Sequence, residues 1–418
     1  MARTNTLTVI SLSALTLLIT GAVLYAGPLS PPVGPVSSTA KTLGDVEPRI
    51  AINSVNTPGD ADSVFKITVP GSYYLTGNIV GQSGKHGIKI DISNVTVDLM
   101  GFTLDNTAGR TTLDGITGPS TGLVNIAVIN GTIDGWHGDG IDLATNTANV
   151  RLEGISVRST LGAGMKVGLS AIVSNCSVFA SASGIRTGDG SSIASCTARQ
   201  CSGGPGIAAG TGCTVTNCSA SNNQGNGILT GSDGSISNCT VYQNTSAGFS
   251  CTGSALLNCD SRANSIGFAI GSSSVISNCT ATGNIISGIS AEIGCTVTDC
   301  IANSNVGDGI TCDNRCLLRG NSCSGNGTGA FGGAGIYVSG VNNRIESNNC
   351  SWSDFGIRVA VGGNIIIRNT CSSNTTSNWT VAQGNTILVV NANVAGIVSG
   401  NSGGVAPGST DPNANFTY

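Results

Sequence analysis

The chain has 418 residues, 61 of them Gly and 16 Cys, with only 10% charged and 4% aromatic residues and a formal charge of −4. This dilute charge carries no basic cluster, which excludes a nucleic-acid partner, since phosphate binding needs concentrated Lys and Arg. Ser, Thr, Asn and Gly abound, yet apolar residues recur regularly, so a disordered chain is excluded and an ordered, turn-rich repeat is predicted.

Residues 1–26 read as an export signal. Arg3 supplies positive charge, Leu7 to Tyr25 is mostly apolar, and Ala26 offers a small residue for cleavage. Leu24 departs from a small-x-small site, which leaves an uncleaved anchor open as the alternative. No later apolar run approaches the roughly 20 residues of a membrane span, so the expected location is secreted, periplasmic or cell-surface. Residues 27–44, rich in Pro, Ser and Gly, read as a flexible linker. Val64 to Ile79 reads as a covering strand pair at the N-terminal end of a domain spanning 45–400.

Within that domain one landmark recurs: a turn residue, then Gly, then Ile, Met or Phe. It runs from His86-Gly87-Ile88 through Asp139-Gly140-Ile141, Ala163-Gly164-Met165 and Ser183-Gly184-Ile185 to Gly356-Ile357. From Gly164 to Gly309 the steps are 20, 22, 21, 21, 19, 21 and 21 residues, the length of one turn of a β-solenoid. A cysteine stays in phase, twelve residues after the glycine at Cys176, Cys196, Cys218, Cys239, Cys279 and Cys300, and eleven at Cys259. Cys323, Cys350 and Cys371 follow at longer offsets. After each glycine the first and third residues are mostly apolar (Ile141 and Leu143, Met165 and Val167) and the second is mixed, so the second faces outward. A second strand precedes each cysteine. The strict six-residue pattern of left-handed solenoids is absent. The predicted fold is all-β: a single-stranded right-handed parallel β-helix of about a dozen coils with an N-terminal cap. Residues 401–418 read as a poorly ordered tail.

Sixteen cysteines in an exported protein would ordinarily suggest disulfides. Stacking argues against them, because in-register residues on parallel strands sit about 4.8 Å apart and a disulfide needs Cβ atoms at about 3.8 Å. A buried ladder of free thiols is therefore expected, with Cys201, Cys213, Cys251, Cys295, Cys312 and Cys316 left over for one or two bridges. No metal site and no cofactor are expected: Cys-x-x-Cys does not occur, and the chain has two histidines. The Asn-Cys-Ser/Thr tripeptides match a glycosylation acceptor, but their phase with the core cysteine is better explained by Asn forming turns.

The repeated Gly-Ile and Asn-Cys-Ser/Thr coils, with the opening Pro70-Gly71-Ser72-Tyr73-Tyr74-Leu75-Thr76-Gly77-Asn78-Ile79, resemble the right-handed β-helix proteins of the pectate-lyase-like superfamily, an exported bacterial subgroup in particular. That resemblance covers roughly 45–400. It implies the fold, and leaves activity open among lyases, hydrolases, epimerases and pure binders. Asp139 to Asp142 is similar to the Asp-Gly-Ile-Asp part of a polygalacturonase motif, but the companion Gly-His-Gly and Arg-x-Lys elements are missing downstream. Asp139 also occupies a slot that other coils fill with turn residues. The weak catalytic candidates are Asp139, Asp142 and His137; the ligand-binding candidates are Asp142, Lys166, Arg186 and Trp136, with Asp134 nearby. Asp142, Lys166 and Arg186 share the outward slot on three successive coils, and an aromatic face beside ionic donors suits an acidic polysaccharide. Two functions are carried forward: an exported structural or binding solenoid of the cell envelope that engages polysaccharide, and an enzyme acting on acidic polysaccharide.

Overall fold

A computed structural model describes residues 47–106, 113–119, 122–328, 332–391 and 411–417. The expected export signal and linker lie outside the described residues. The chain divides into Met1–Pro48 and Arg49–Tyr418, and all that follows concerns the second unit.

Among the described residues every element is a strand, and every ladder is parallel apart from one isolated antiparallel bridge, Pro58 to Phe65. The strands stack as a right-handed parallel solenoid of about 15 rungs. A representative rung has three strands, Ala163–Leu169, Ile172–Ser174 and Ser177–Phe179, each pairing with its counterpart one rung on: Ser183–Thr187, Ser192–Ala194 and Thr197–Arg199. The landmark glycines undercount the rungs because the end rungs lack them. Val64 stands opposite Gly87 in the first rung and Asn378 opposite Gly356 in the last. Ser63–Ile67 and Gly71–Tyr74, expected to pair with each other, pair instead with His86–Ile90 and Val95–Asp98, forming a full first rung; Ile50–Ala51 covers its second strand.

Alternation decides what is buried. Met165, Val167, Val173 and Val178 point inward, and the core column after the glycine continues through Ile185, Ile207, Ile228 and Phe249. Phe249 and Phe268 stack with centroids 4.8 Å apart, the spacing of the rungs themselves. The landmark glycine is required by close approach. An added Cβ at Gly115, Gly227 or Gly288 would lie 2.6–2.7 Å from the carbonyl oxygen of the landmark glycine one rung on. Asn378 ends this column among the described residues, where no later rung supplies that carbonyl.

Three corners join the strands, and each carries an internal ladder. At the corner between the second and third strands, Asn175, Asn217, Asn238, Asn258 and Asn278 take φ of 52–53°. The residue after each, Cys176 to Cys279, turns inward. There the Cys218 N–H donates to Cys239 Sγ at 3.4 Å and the Cys259 N–H to Cys279 Sγ at 3.3 Å. From Asn321 onward asparagine takes over this column, through Asn348 and Asn369 to Asn415. Cys323, Cys350 and Cys371 form a separate inward column in the third strand. All sixteen cysteines are buried and free, including the six for which bridges were open. Asn415–Thr417 differs from the expected tail. It pairs in parallel with Thr370–Ser372 and Val389–Asn391 because Asn415 supplies the next amide of the ladder.

Candidate functional site

The outward slot two residues past the landmark glycine is one continuous column. Register places Lys66, Lys89, Thr117, Asp142, Lys166 and Arg186 on six successive rungs, followed by Ala208, Leu229 and Ser250. The sequence repeat located Lys89, Asp142, Lys166 and Arg186 in this slot and missed Lys66 and Thr117. Lys66 was hidden because Val64 replaces the glycine that marks the slot; Thr117 was legible from Gly115.

Asp142, Lys166 and Arg186 therefore come together as adjacent outward neighbours. Lys166 Nζ lies 3.1 Å from Asp142 Oδ2 and 3.4 Å from Asp139 Oδ2. Burial works to lower the Lys166 pKa, and the carboxylates of Asp142 and Asp139 more than offset it, so the ammonium is held above its ordinary value. Lys66 is similarly occupied, by Asp91 at 2.8 Å and Asp60 at 3.2 Å. Arg186 and Lys89 differ: among the described residues neither has an ion-pair partner, and Arg186 is exposed.

Asp139 belongs to a second column, one residue before the glycine, where side chains accept backbone N–H groups of the next rung. The Asp114 N–H donates to His86 Nδ1 at 3.0 Å, the Asp139 N–H to Asp114 Oδ1 at 2.7 Å, and the Ala163 N–H to Asp139 Oδ1 at 2.6 Å. Asp114 Oδ2 also lies 3.4 Å from His86 Nδ1. The Asp139 carboxyl is 16% exposed. Burial pushes its pKa up, the Ala163 N–H and Lys166 oppose that shift, and the carboxylates of Asp142 and Asp114 reinforce it. Asp139 is thus a turn-ladder residue that is also poised to hold a proton above the usual carboxylate range.

Beside Lys166 and Arg186 the surface opens into a cleft of about 410 Å³, lined also by Ala144, Thr147, Leu169 and Thr187 and floored by Gly168 and Gly188. Two local features create it. Pairing breaks between Leu143 and Ala148, so the extra residues of this coil bulge outward. Thr147 pins the bulge: its hydroxyl donates to the Leu143 carbonyl and accepts the Gly168 N–H at 3.2 Å. Ala144, Gly168 and Gly188 add no long side chain to its lining.

The remaining candidates separate from this cluster. Trp136 is fully buried, with Nε1 donating to the Leu104 carbonyl at 3.2 Å, so it offers no aromatic face to a ligand. Its ring fills the space over Gly87 and Gly115 that those glycines leave. Asp134 lies in the third-strand sheet, paired with Arg158 at 2.9 Å. His137 makes no hydrogen bond or ion pair among the described residues. Among those residues, too, no group of three or more His, Cys, Asp or Glu is placed to hold a metal ion, and no helix is long and apolar enough to cross a membrane.

A family model described as the right handed beta helix region matches residues 121–267 and, overlapping, 206–332, together more than half of the chain; the chain belongs to this family. No curated protein matches the sequence. Solved structures similar to the chain include the A-module of an Azotobacter vinelandii mannuronan C-5 epimerase, at 14% identity and TM-score 0.43 over 76% of this chain and 89% of that one. Another is the DFA-IIIase of Arthrobacter chlorophenolicus A6 in complex with GF2, at 10% identity and TM-score 0.40 over 76% of this chain and 88% of that one. A third is the catalytic domain of a GH87 α-1,3-glucanase in complex with tetrasaccharides, at 11% identity and TM-score 0.37 over 80% of this chain and 60% of that one.

Proposed function

We propose that this member of the right-handed β-helix family is an exported binding solenoid of the cell envelope that holds an acidic polysaccharide across the outward face of its first sheet. Export rests on the Arg3 to Ala26 segment. The observation that carries the binding reading is Arg186, an exposed guanidinium with no ion-pair partner among the described residues, at the rim of a 410 Å³ cleft. A guanidinium pairs with a sugar carboxylate through two parallel N–H···O bonds, which fixes orientation as well as charge. Lys166, held between Asp139 and Asp142, is positioned as a donor of limited net charge, which favours polar contacts along a sugar over nonspecific anion binding.

The test is titration of polygalacturonate, alginate and neutral dextran into the wild type and a Lys166→Ala, Arg186→Ala double variant. Binding of the two polyuronates, weakened at least tenfold in the double variant and by added salt, is expected. Undiminished binding by a folded double variant overturns the site. A second reading, an enzyme acting on acidic polysaccharide, is favoured by one observation: a carboxyl with a raised pKa, Asp139, touching Lys166 at the same face. New reducing or unsaturated ends from a polyuronate, abolished by Asp139→Asn with binding retained, would establish it.

A further inference from the structure

We infer a second carboxylate-binding subsite on the same outward column, centred on Arg358. It rests on the polysaccharide reading above and adds a distinct contact point to it. From Arg186 the column runs through Ala208, Leu229, Ser250, Ala269, Ser290, Thr311 and Tyr337 to Arg358, eight rungs on and all uncharged in between. At about 4.8 Å per rung the two guanidinium positions are ~38 Å apart along one face.

The Arg358 side chain is built for a planar anion. Its guanidinium carbon lies 5.4 Å from the ring centroid of Tyr337, its register neighbour, and 5.2 Å from that of Phe355, three residues earlier on the same strand. Stacking on two rings holds the plane and weakens hydration of the cation without using its in-plane N–H donors. The nearby carboxylates each hold a backbone N–H, and the Arg358 charge acts on one of them, Asp308, against the rise that burial gives its pKa. Asp308 Oδ1 accepts the Ala334 N–H at 2.7 Å; Asp354 accepts the Gly333 N–H at 3.1 Å and the Thr375 hydroxyl at 3.0 Å. Arg358 is exposed and has no ion-pair partner among the described residues. An independent feature marks the same rung. Trp352, at the corner leading into this strand, is 71% exposed and adopts φ +55°. In earlier rungs that left-handed corner is held by Ala180, Gln200, Asn222, Gln243, Ala263 and Ser304. A bulky aromatic kept in that conformation and turned to solvent is an outlier of the kind that marks a binding surface. The ligand that fits is a uronate: a ring face for the aromatics and a carboxylate for the guanidinium.

The experiment is calorimetric titration with size-fractionated oligogalacturonates shorter and longer than ~38 Å, on wild type, Arg358→Ala, Arg358→Lys and the Lys166→Ala, Arg186→Ala double variant. For wild type, chains long enough to bridge both positions should bind about 100-fold tighter than short ones, through effective concentration alone. Arg358→Ala should lose that rise and keep short-chain binding at the other site. Arg358→Lys, which keeps the charge on an exposed position but not the stacked plane, should lose most of it too. A length dependence in both Arg358 variants equal to wild type overturns this subsite and leaves the Lys166–Arg186 site standing. Short-chain binding lost in the Arg358 variants and kept in the double variant supports this subsite and removes the other. Wild-type protein that binds no oligogalacturonate of any length overturns both.

Discussion

Replacing Gly227 by alanine tests why the landmark glycine recurs. The new Cβ would sit 2.7 Å from the Gly248 carbonyl oxygen, 2.8 Å from Asn244 Nδ2 and 2.9 Å from Val241 Cγ1. Ordinary contact distances are about 3.5 Å, so each neighbour must yield by roughly 0.6–0.8 Å. None is the free end of a flexible side chain. The first is backbone, the third is a buried core valine, and Asn244 Nδ2 is tied to the Ala220 carbonyl at 3.1 Å and Asn264 Oδ1 at 3.0 Å. Opening the rung also stretches the bond from the Gly227 N–H to the Ala247 carbonyl, now 2.9 Å. Overpacking costs about 1–3 kcal/mol and a compromised buried hydrogen bond about another 1 kcal/mol, giving a destabilisation of roughly 2–4 kcal/mol. Gly77→Ala is the control. Nothing lies within 4 Å of its added Cβ, and the loss of unfolded-chain entropy should leave it neutral or stabilised by up to about 1 kcal/mol. Urea unfolding followed by circular dichroism compares the two midpoints. A Gly227→Ala protein within about 0.5 kcal/mol of wild type, or a Gly77→Ala protein equally damaged, would refute the close-approach argument.

The corner ladder makes Asn284→Ala costly by about 2–4 kcal/mol in the same unfolding assay, because the buried Asn264 N–H loses its acceptor and the Ser261 carbonyl loses a donor; a change under 0.5 kcal/mol would mean the ladder contributes nothing. Cys218→Ser should cost only about 1 kcal/mol, since the hydroxyl inherits the Thr216 carbonyl at 3.1 Å and Ser191 and Ser254 already serve another corner this way; a loss near 4 kcal/mol would contradict that interchange. Thiol titration of denatured, unreduced protein should count all 16 cysteines, and a deficit of two or more would reveal a disulfide. Asp139 has a folded pKa raised above its unfolded value, so its contribution to stability is fully present below the unfolded value of 3.8 and is lost as pH rises through the folded pKa. Asp139→Asn, which keeps the acceptor for the Ala163 N–H, should therefore gain on wild type as pH rises from 3 to 7; a pH-independent difference would show that burial does not govern this carboxyl.

Strand alternation made the first sheet legible, because period two leaves no choice about which of Met165, Lys166 and Val167 faces in. The same logic gave the shared face of Asp142, Lys166 and Arg186. It failed for Trp136, where residue type suggested a sugar platform while the space over Gly87 and Gly115 needed a large ring. The cysteine offsets carry a second signal. Cys323, Cys350 and Cys371 fall 14–15 residues after their glycines, and Asn321, Asn348 and Asn369 fall at 12–13. The amide, not the thiol, therefore continues the column beyond Cys300. One chemistry replaces the other because both fill a buried corner of similar size and both accept the N–H of the rung before.

The candidate site was harder to read because its decisive properties are not periodic. A repeat specifies what every rung shares: an inward apolar residue, a glycine that lets rungs approach, an acceptor at each corner. Binding depends on where rungs depart from that plan. The bulge from Leu143 to Ala148 opens the cleft, the commitment of Asp139 and Asp142 to Lys166 leaves Arg186 without an ion pair among the described residues, and two rings lie against Arg358. Arg186 and Arg358 face outward from the core columns, and neither side chain takes part in a corner-ladder bond. The exposed Arg186 and Arg358 can therefore change with little cost to the fold, typically within about 0.5 kcal/mol. Loss of ligand binding in the Arg186 and Arg358 variants then reads directly on recognition, with the solenoid itself as the internal control.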